Sequence, residues 1–273
     1  MTLSEIADRG ILVLGCGKMG SALIDGWLSQ GIAPDRFCLI EPNPSDMIRS
    51  LAEHGALLNT LPDRPPGTVL LAVKPQMMAE ALPRVAEYGD GSTLFISIAA
   101  GLPLAYFGEA LGQAAPVIRA MPNTPAAIGR GITALVGNTA ASDEHLTIAE
   151  TLLASVGSTV RLPAEAQMDV VTALSGSGPA YVFLLIEALA EAGVAEGLEP
   201  DLALELARAT VAGAGLLAEA GEAEPGELRQ NVTSPGGTTA AALEVLMANR
   251  DGLPDLIARA VSAAASRSRE LGS

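Results

Sequence analysis

A glycine-rich stretch near the start of the chain has the residue types and spacing that bind the phosphates of a dinucleotide. A strand-length apolar run at 11–14 ends in Gly15-Cys-Gly17-Lys-Met-Gly20, and a helical pattern of apolar residues follows at once. Gly15 permits a tight turn, Gly17 lets the backbone approach a pyrophosphate, and Gly20 lets the helix pack closely. The N–H groups and the positive dipole end of the helix would then face the phosphates. A glycine-rich turn without a ligand is the alternative.

An acidic residue at the end of the next predicted strand could bind the ribose of such a dinucleotide. The apolar run at 37–40 predicts that strand, and Glu41 follows it about 20 residues after the glycine motif. A carboxylate there accepts hydrogen bonds from the ribose hydroxyls of NAD and repels the 2′-phosphate of NADP. Asn43 and Ser45 could hydrogen-bond either cofactor, and Ser45 also fits the N-cap of the following helix. The residues favour NADH over NADPH, with a solvated strand-end carboxylate as the alternative.

A second group of candidate residues lies in two glycine-rich stretches of the C-terminal part. In the first, Ser177 or Gly178 fits a helix cap and Pro179 fits the first helical position. In the second, a Pro-Gly-Gly turn delivers Thr238 and Thr239 to a helix N-terminus, which offers N–H donors and hydroxyls to a small carboxylate. Ordinary helix capping without a ligand explains the same residues equally well.

The N-terminal part must supply the elements that position the glycine motif. Apolar runs of strand length alternate with helical patterns, which predicts a doubly wound α/β sheet of the Rossmann type. Ligands of such sheets bind at the carboxyl ends of the strands. The predicted strands are 11–14, 37–40, 69–73, 93–98, 116–120, 131–136 and 158–162. The residues expected to contact the cofactor along one crevice are Gly15, Gly17, Lys18, Met19, Gly20, Glu41, Asn43, Ala72, Val73, Lys74, Ala99, Ala100 and Asn123.

The pattern changes to helices alone from about residue 163 onward. The segment 180–192 is apolar nearly all round, and 202–218 is rich in Ala and Gly on every face. A helix that is apolar all round must be buried, and a segment of about 110 residues cannot bury several of them by itself. The sequence therefore predicts a dinucleotide-binding domain at 1–162 and an all-α dimerisation and substrate domain at 163–273.

Composition restricts the possible partners and the compartment. The 273 residues are 49% hydrophobic and carry a net charge of −15, which argues against binding nucleic acid or an anionic membrane through a basic face. The longest uncharged stretches, 91–108 and 170–186, are interrupted by Gly and Pro and fit soluble elements better than membrane spans. Cys16 and Cys38 form neither a disulfide framework nor a metal-binding spacing. We therefore expect a cytoplasmic protein without a metal.

The chain resembles the pyrroline-5-carboxylate reductase family over essentially its full length. The motifs that carry the resemblance are Gly15-Cys-Gly-Lys-Met-Gly20, Ala72-Val-Lys-Pro75, Ser97-Ile-Ala-Ala-Gly101, Arg119-Ala-Met-Pro-Asn-Thr-Pro125, Leu174-Ser-Gly-Ser-Gly-Pro-Ala-Tyr181, Pro225-Gly-Glu-Leu228 and Ser234-Pro-Gly-Gly-Thr-Thr239. The resemblance implies the reduction of the cyclic imine 1-pyrroline-5-carboxylate to L-proline, the last step of proline biosynthesis, by NADH or NADPH. It also implies a homodimer with an active site completed across the dimer, and often a ring of dimers.

The resemblance also implies roles for particular residues. The substrate carboxylate would bind the loop 234–239, and the Thr239 hydroxyl would hydrogen-bond the ring nitrogen. Because a Thr hydroxyl is a weak acid, we expect Thr239 to position the substrate and to relay a proton from water. The only histidines, His54 and His145, fit solvated positions on surface helices. The residues expected to bind the substrate are Ser177, Ser234, Gly237, Thr238 and Thr239.

Two other functions stay open at the level of sequence. Another two-domain reductase, acting on a hydroxy acid, a ketoacid or a different imine, would share this architecture. Such enzymes commonly use a lysine of the helical domain as proton donor, whereas no lysine follows Lys74 in this chain. A non-catalytic module that senses NAD would need the glycine crevice but not the loop 234–239.

Overall fold

The computed structural model describes residues 1–272, and Ser273, the last residue of the predicted C-terminal domain, lies outside the described residues. The chain divides into two compact units. The first unit comprises Met1–Gly176 together with the stretch from Ala265 onward, and the second comprises Ser177–Ala264. The predicted domain boundary between residues 162 and 163 stays a prediction. The last strand ends at Arg161, next to that boundary, whereas the first compact unit continues to Gly176.

An eight-stranded sheet forms the centre of the first unit. The strand order is β3-β2-β1-β4-β5-β6-β7-β8, with parallel pairing from β3 through β6. The seventh strand runs antiparallel to β6, and the eighth runs parallel to the seventh. The strands are β1 (Ile11–Leu14), β2 (Phe37–Ile40), β3 (Leu57–Leu58), β4 (Thr68–Leu71), β5 (Leu94–Ser97), β6 (Val117–Met121), β7 (Gly131–Gly137) and β8 (Gly157–Arg161).

Helices cover both faces of the sheet, as expected for strands that are apolar on both sides. Because side chains alternate along a strand, β1 places Ile11 and Val13 in one buried cluster and Leu12 and Leu14 in another. The first cluster also contains Trp27, whose indole N–H donates to the Leu152 carbonyl at 2.8 Å. The helices of this unit are α1 (Leu3–Ala7), α2 (Lys18–Ser29), α3 (Asp46–Glu53), α4 (Met78–Ala81), α5 (Leu104–Leu111), α6 (Asp143–Leu153) and α7 (Met168–Val171).

Three details of the first unit differ from the sequence expectation. The third predicted strand, β4, ends at Leu71 rather than Val73, because the chain leaves the sheet there to close over the glycine turn. The helix that a regular alternation of strands and helices would place between β4 and β5 is reduced to α4 and short 3₁₀ turns, since Pro83 cannot donate the backbone hydrogen bond of a continuing α-helix. The two-residue strand β3 is too short to leave a periodic signal in the sequence.

The second unit is helical throughout its described residues. Its helices are α8 (Gly178–Ala195), α9 (Pro200–Ala220), α10 (Pro225–Asn231), α11 (Thr238–Leu246) and the first part of α12 (Leu253–Leu271). Small residues allow α8 and α9 to approach closely, because a Cβ placed on Gly193 would lie 3.3 Å from that of Ala203. None of the described residues of α8 or α11 is buried in the single chain.

One helical stretch among residues 1–272, Glu165–Ala195, is long and apolar enough to cross a membrane by length and composition alone. Its mean hydropathy is 1.4, and 6% of it is buried in the single chain. A single stretch of this kind is weak evidence for a membrane span, because a helix covered by protein has the same composition.

Candidate active site

The glycine motif forms the turn between β1 and α2. Gly15 has a φ of +97°, and a Cβ there would lie 2.8 Å from the backbone nitrogen of Val73. A Cβ on Gly20 would lie 2.5 Å from the Gly15 carbonyl oxygen. Nothing lies within 4 Å of a Cβ built on Gly17, so the backbone of that residue faces open space. The turn therefore has no room for a side chain at Gly15 or Gly20, and it leaves open space at Gly17, where a phosphate would approach.

The N-terminus of α2 is open beside this turn. Gly17 is its N-cap and provides no capping side chain. Lys18, Met19 and Gly20 form the first turn, whose N–H groups have no partner within the helix. The Lys18 side chain is exposed, and Met19 packs against the core. These backbone donors, together with the helix dipole, fit the pyrophosphate of a dinucleotide.

A cavity of about 330 Å³ lies at the carboxyl ends of β1, β2 and β4. Ala99, Ala100 and Asn123 follow β5 and β6 at the same edge of the sheet but do not line this cavity. Four further residues line it that no sequence period indicates, because the helix after β4 is broken: Met77, Glu80, Ala81 and Arg84. The predicted cofactor residues that the cavity brings together are Gly15, Gly17, Glu41, Asn43, Ala72, Val73 and Lys74.

The carboxylate of Glu41 is held against the glycine turn. Its Oε2 accepts a hydrogen bond from the Cys16 N–H, and its Oε1 accepts one from the Asn43 N–H, both at 2.9 Å. The Asn59 side chain pairs with the backbone N–H and C=O of Glu41, also at 2.9 Å. Asn59 adopts a left-handed φ of 56°, which Asn tolerates better than most residues. No sequence motif points to Asn59 as a partner of Glu41, although a lone Asn after an apolar pair is a turn signal. The negative charge of Glu41 therefore has a fixed place at the cavity.

Cysteine and histidine side chains of the described chain are engaged locally. Burial, with Glu41 nearby, raises the pKa of the Cys16 thiol to about 12, and burial raises that of Cys38 to about 11. Both thiols are therefore protonated at neutral pH and poor nucleophiles. His54 contacts the Ser50 carbonyl through Nδ1 at 2.7 Å, and His145 closes a capping box at the start of α6. Among residues 1–272, no group of three or more His, Cys, Asp or Glu side chains could hold a metal ion.

The predicted substrate loop forms a tight turn before α11. A hydrogen bond of 3.0 Å joins the Gly237 N–H to the Ser234 carbonyl, and a Cβ on Gly237 would lie 2.5 Å from the Ser234 Oγ. Gly237 is the N-cap and provides no side-chain bond. Thr238 and Thr239 are the first helical residues, so their N–H groups have no intrahelical partner. The turn brings three hydroxyls and an uncapped helix N-terminus together, while Ser177 lies just before a different helix, α8.

The stretch from Leu174 to Tyr181 keeps a helical backbone up to the start of α8, where Ser177 is the N-cap. A π-helical turn at Thr172–Gly176 joins α7 to α8, which begins at Gly178. Ser177 precedes α8 with a helical backbone, and its side chain makes no capping bond. The turn is wide because Pro179, in the first turn of α8, has no N–H to continue the α-helical bonding.

A partly buried ion pair connects β6 with the segment before α7, at the start of α5. The Arg119 Nη1 donates to the Glu165 Oε1 at 2.9 Å, and the same oxygen accepts the N–H of Leu104 at the start of α5 at 2.7 Å. Arg119 is only 5% exposed. Glu165 thus caps α5 and neutralises a buried guanidinium, and this fixes the loop that carries Ala99 and Ala100.

A Rossmann-type unit with an open glycine turn, followed in the chain by an all-helical unit, defines a two-domain dinucleotide-dependent oxidoreductase. The family model described as "NADP oxidoreductase coenzyme F420-dependent" matches residues 10–101. The family model described as "Pyrroline-5-carboxylate reductase dimerisation" matches residues 165–271. A pyrroline-5-carboxylate reductase of Pseudomonas aeruginosa is 39% identical over 264 residues, which cover 96% of this chain and 96% of that relative. The chain belongs to the pyrroline-5-carboxylate reductase family.

Solved structures agree with this assignment. A pyrroline-5-carboxylate reductase from Coxiella burnetii superposes with a TM-score of 0.88 at 34% identity, covering 97% of this chain and 98% of that one. A pyrroline carboxylate reductase of Plasmodium falciparum, solved with NADP bound, superposes with a TM-score of 0.80 at 30% identity, with coverage of 97% and 98%. The fold class and the family predicted from the sequence are confirmed.

Proposed function

We propose that the chain reduces the C=N bond of 1-pyrroline-5-carboxylate to give L-proline, with NADH or NADPH as reductant. The observation that carries the proposal is the 39% identity to a pyrroline-5-carboxylate reductase over 96% of both chains. That similarity includes both the glycine turn of the first unit and the Ser234–Thr239 turn of the second. A module that only senses NAD would need no such turn.

The residues of the chain bind and orient the reactants. The glycine turn and the N-terminus of α2 bind the pyrophosphate, and Glu41 binds the adenosine ribose. When bound, the reduced nicotinamide supplies the hydride. The open N-terminus of α11, with the Ser234 hydroxyl, binds the substrate carboxylate, and the Thr239 hydroxyl orients the ring nitrogen and relays a proton from water. The protein thus contributes position and electrostatics rather than a strong acid.

A substrate panel tests this proposal. Purified protein is mixed with NADH and then with pyrroline-5-carboxylate, a 2-ketoacid or a six-membered cyclic imine carboxylate, and NADH consumption is followed by absorbance. We expect the five-membered imine to give the highest kcat/KM and L-proline to accumulate in equal amount. A higher kcat/KM with the ketoacid would favour another two-domain reductase. Binding of NADH without turnover of any substrate would favour the sensing module.

The position of Glu41 leads us to infer that NADH is used at least as well as NADPH. The charge beside the glycine turn would repel the 2′-phosphate of NADPH. Glu41→Ser should raise the ratio of kcat/KM for NADPH to that for NADH by about tenfold, which corresponds to about 1.4 kcal/mol. Glu87→Ser, which removes an exposed acid outside the cavity, serves as the control and should leave the ratio unchanged. A wild-type preference for NADPH that Glu41→Ser does not alter would contradict the inference.

The apolar surface of the helical unit leads us to infer an obligate homodimer. Phe183 is 57% exposed and Leu184 is 63% exposed in the single chain, although both lie in a helix with an apolar sequence. Leu184→Asp should dissociate the dimer and abolish activity, because it buries an unpaired charge in the subunit interface. Ile128→Asp changes an even more exposed apolar residue of the first unit, at 79%, and should leave the assembly intact. Light scattering on dilute protein measures the mass of the assembly. An active monomer would overturn the inference. A mass above that of a dimer would indicate a ring of dimers.

The expected location is the cytoplasm, with no nucleic acid and no membrane as partner. The net charge of −15 disfavours anionic polymers and anionic lipid surfaces. Cys16 and Cys38 are buried as free thiols, which suits a reducing compartment. Fractionation of cells that express the tagged chain should recover it in the soluble fraction.

A further inference from the structure

The carboxyl end of β6 is joined to the π-helical turn by the side chain of Asn123. Its Nδ2 donates a hydrogen bond to the Ser175 Oγ at 3.3 Å. Its Oδ1 accepts a hydrogen bond from the backbone N–H of Ile132 in β7 at 3.0 Å. One amide therefore connects the end of β6, the start of β7 and the turn Thr172–Gly176.

Packing holds the same turn against the same strand. A Cβ on Gly176 would lie 2.5 Å from the Met121 Cε, so only glycine allows this approach without displacing Met121. Ala173 is completely buried. Leu174, in contrast, is 63% exposed, so one side of the turn packs into the first unit while the other faces outward in the single chain. The Asn123–Ser175 hydrogen bond and the contact of Gly176 with Met121 thus hold the turn against the end of β6.

The backbone hydrogen bonding of this π-helical turn is weaker than that of an α-helix, which makes the side-chain contacts important. A π-helical turn is rare, and such turns occur frequently at functional sites. Pro179 has no N–H, so the carbonyl of Ser175 lacks the donor that an α-helix would give it four residues later. Backbone bonding alone therefore holds this turn less firmly than it would hold an ordinary helical turn. The contacts from Asn123 and Met121 act on the turn in addition to this weaker backbone bonding.

We propose that Asn123 is a positioning residue that fixes the π-helical turn at the carboxyl ends of β5 and β6 for hydride transfer. This inference rests on the proposed function. In a doubly wound sheet, the second half of a dinucleotide lies over the strands beyond the glycine turn, which here are β5 and β6. A displacement of the turn at that edge would change the geometry of the reacting groups and leave the adenosine end of the cofactor untouched. Asn123 thereby acts through Ser175, a role different from the direct cofactor contact predicted from the sequence.

The test separates catalytic geometry from stability. Ser175→Ala removes the hydroxyl and should lower kcat about 3- to 10-fold, while the KM for NADH changes less than twofold. Ser175→Thr keeps the hydroxyl and should restore kcat to within about twofold of the wild type. Asn123→Leu removes the amide, and adding Ser175→Ala to it should lower kcat no further, because the two side chains act through one bond.

Two further measurements complete the design. Amide hydrogen exchange in peptides that cover 172–176 should be faster in Ser175→Ala and in Asn123→Leu, while peptides of the β1–α2 turn keep their protection. Ser268→Ala removes another buried serine bond of the same unit, the 2.6 Å bond to the Asp169 carboxylate, and should lower stability without changing kcat.

The proposal is overturned if Ser175→Ala retains the wild-type kcat, if Ser175→Thr fails to restore it, or if Ser268→Ala lowers kcat as much as Ser175→Ala does. Additive losses in the double variant would also overturn it. A wild-type enzyme that does not reduce pyrroline-5-carboxylate would instead contradict the proposed function. In that case, the exchange measurement still reports whether Asn123 holds the turn.

Discussion

Replacing Thr239 with valine should lower kcat for pyrroline-5-carboxylate about 10- to 100-fold, which corresponds to about 1.4–2.7 kcal/mol of transition-state stabilisation. Valine keeps the shape of threonine and removes one hydroxyl. Thr239 is the second residue of α11 and is half-buried, so its side chain lies in a turn of defined geometry. If the hydroxyl orients the imine nitrogen as that atom gains electrons and a proton, its loss acts mainly on the transition state. Affinity for NADH, measured by the fluorescence of the bound dinucleotide, should not change.

Ser234→Ala is the matched control on the same turn, and its kinetic signature should differ. If Ser234 binds the substrate carboxylate, it binds it alike in the ground state and the transition state, so loss of its hydroxyl should mainly raise the KM for the imine. The turn should survive this change, because the bond from the Gly237 N–H reaches the backbone carbonyl of Ser234. Wild-type kinetics in both variants would show that the Ser234–Thr239 turn only caps α11 and does not bind the substrate. That result would remove the strongest chemical argument for the substrate.

Periodicity predicted the elements of the first unit wherever they were long enough to show it. The runs at 11–14 and 37–40 became β1 and β2 with the same bounds, because strands buried on both faces are continuously apolar. Ser45 became the predicted N-cap of α3, accepting a hydrogen bond from the Ile48 N–H. The π-helical turn could not be predicted, because Pro179 fits the start of an ordinary helix equally well and the contact of Gly176 with Met121 is tertiary. Patterns in a single sequence indicate the local backbone conformation that a segment prefers, but they do not indicate such tertiary contacts.

The sequence identified the glycine turn for physical reasons that the structure retains. Gly15 and Gly20 are glycines because backbone atoms occupy the space that a side chain would need. The neighbours that hold Glu41 were not visible, since Asn59 approaches from a different strand and its pairing with Glu41 is tertiary. Arg84 lies at the cavity because 3₁₀ turns replace a regular helix after Lys74, and no period places it there. The motif thus predicted the glycine turn, while the contacts that surround it depend on the tertiary fold.

Breaking the ion pair between Arg119 and Glu165 should markedly lower the free energy of unfolding. Glu165 is the hydrogen-bonded anionic partner of a guanidinium that is 5% exposed, and it also caps α5. The Arg119 Nη2 has no hydrogen-bond partner among the described residues, so the cation is already incompletely satisfied. Removing one partner of a buried pair costs about 3–5 kcal/mol, because the remaining charge is buried without compensation. The Glu165 side chain is 31% exposed, which lowers the expected cost to about 2–4 kcal/mol.

Glu165→Ala should therefore destabilise the protein more than Arg119→Met does, because a buried cation tolerates isolation less well than a partly exposed carboxylate that still caps α5. Adding Arg119→Met to Glu165→Ala should restore part of the lost stability, since methionine places no charge in the same buried space. Asp8→Ala, which breaks an exposed pair with Arg36, is the control and should cost less than about 1 kcal/mol. Urea unfolding at one fixed protein concentration measures all four variants, because subunit association contributes to the midpoint. If Arg119→Met lowers stability further in the Glu165→Ala background, the guanidinium must be stabilised by groups other than Glu165, and the pair is not what fixes the loop after β5.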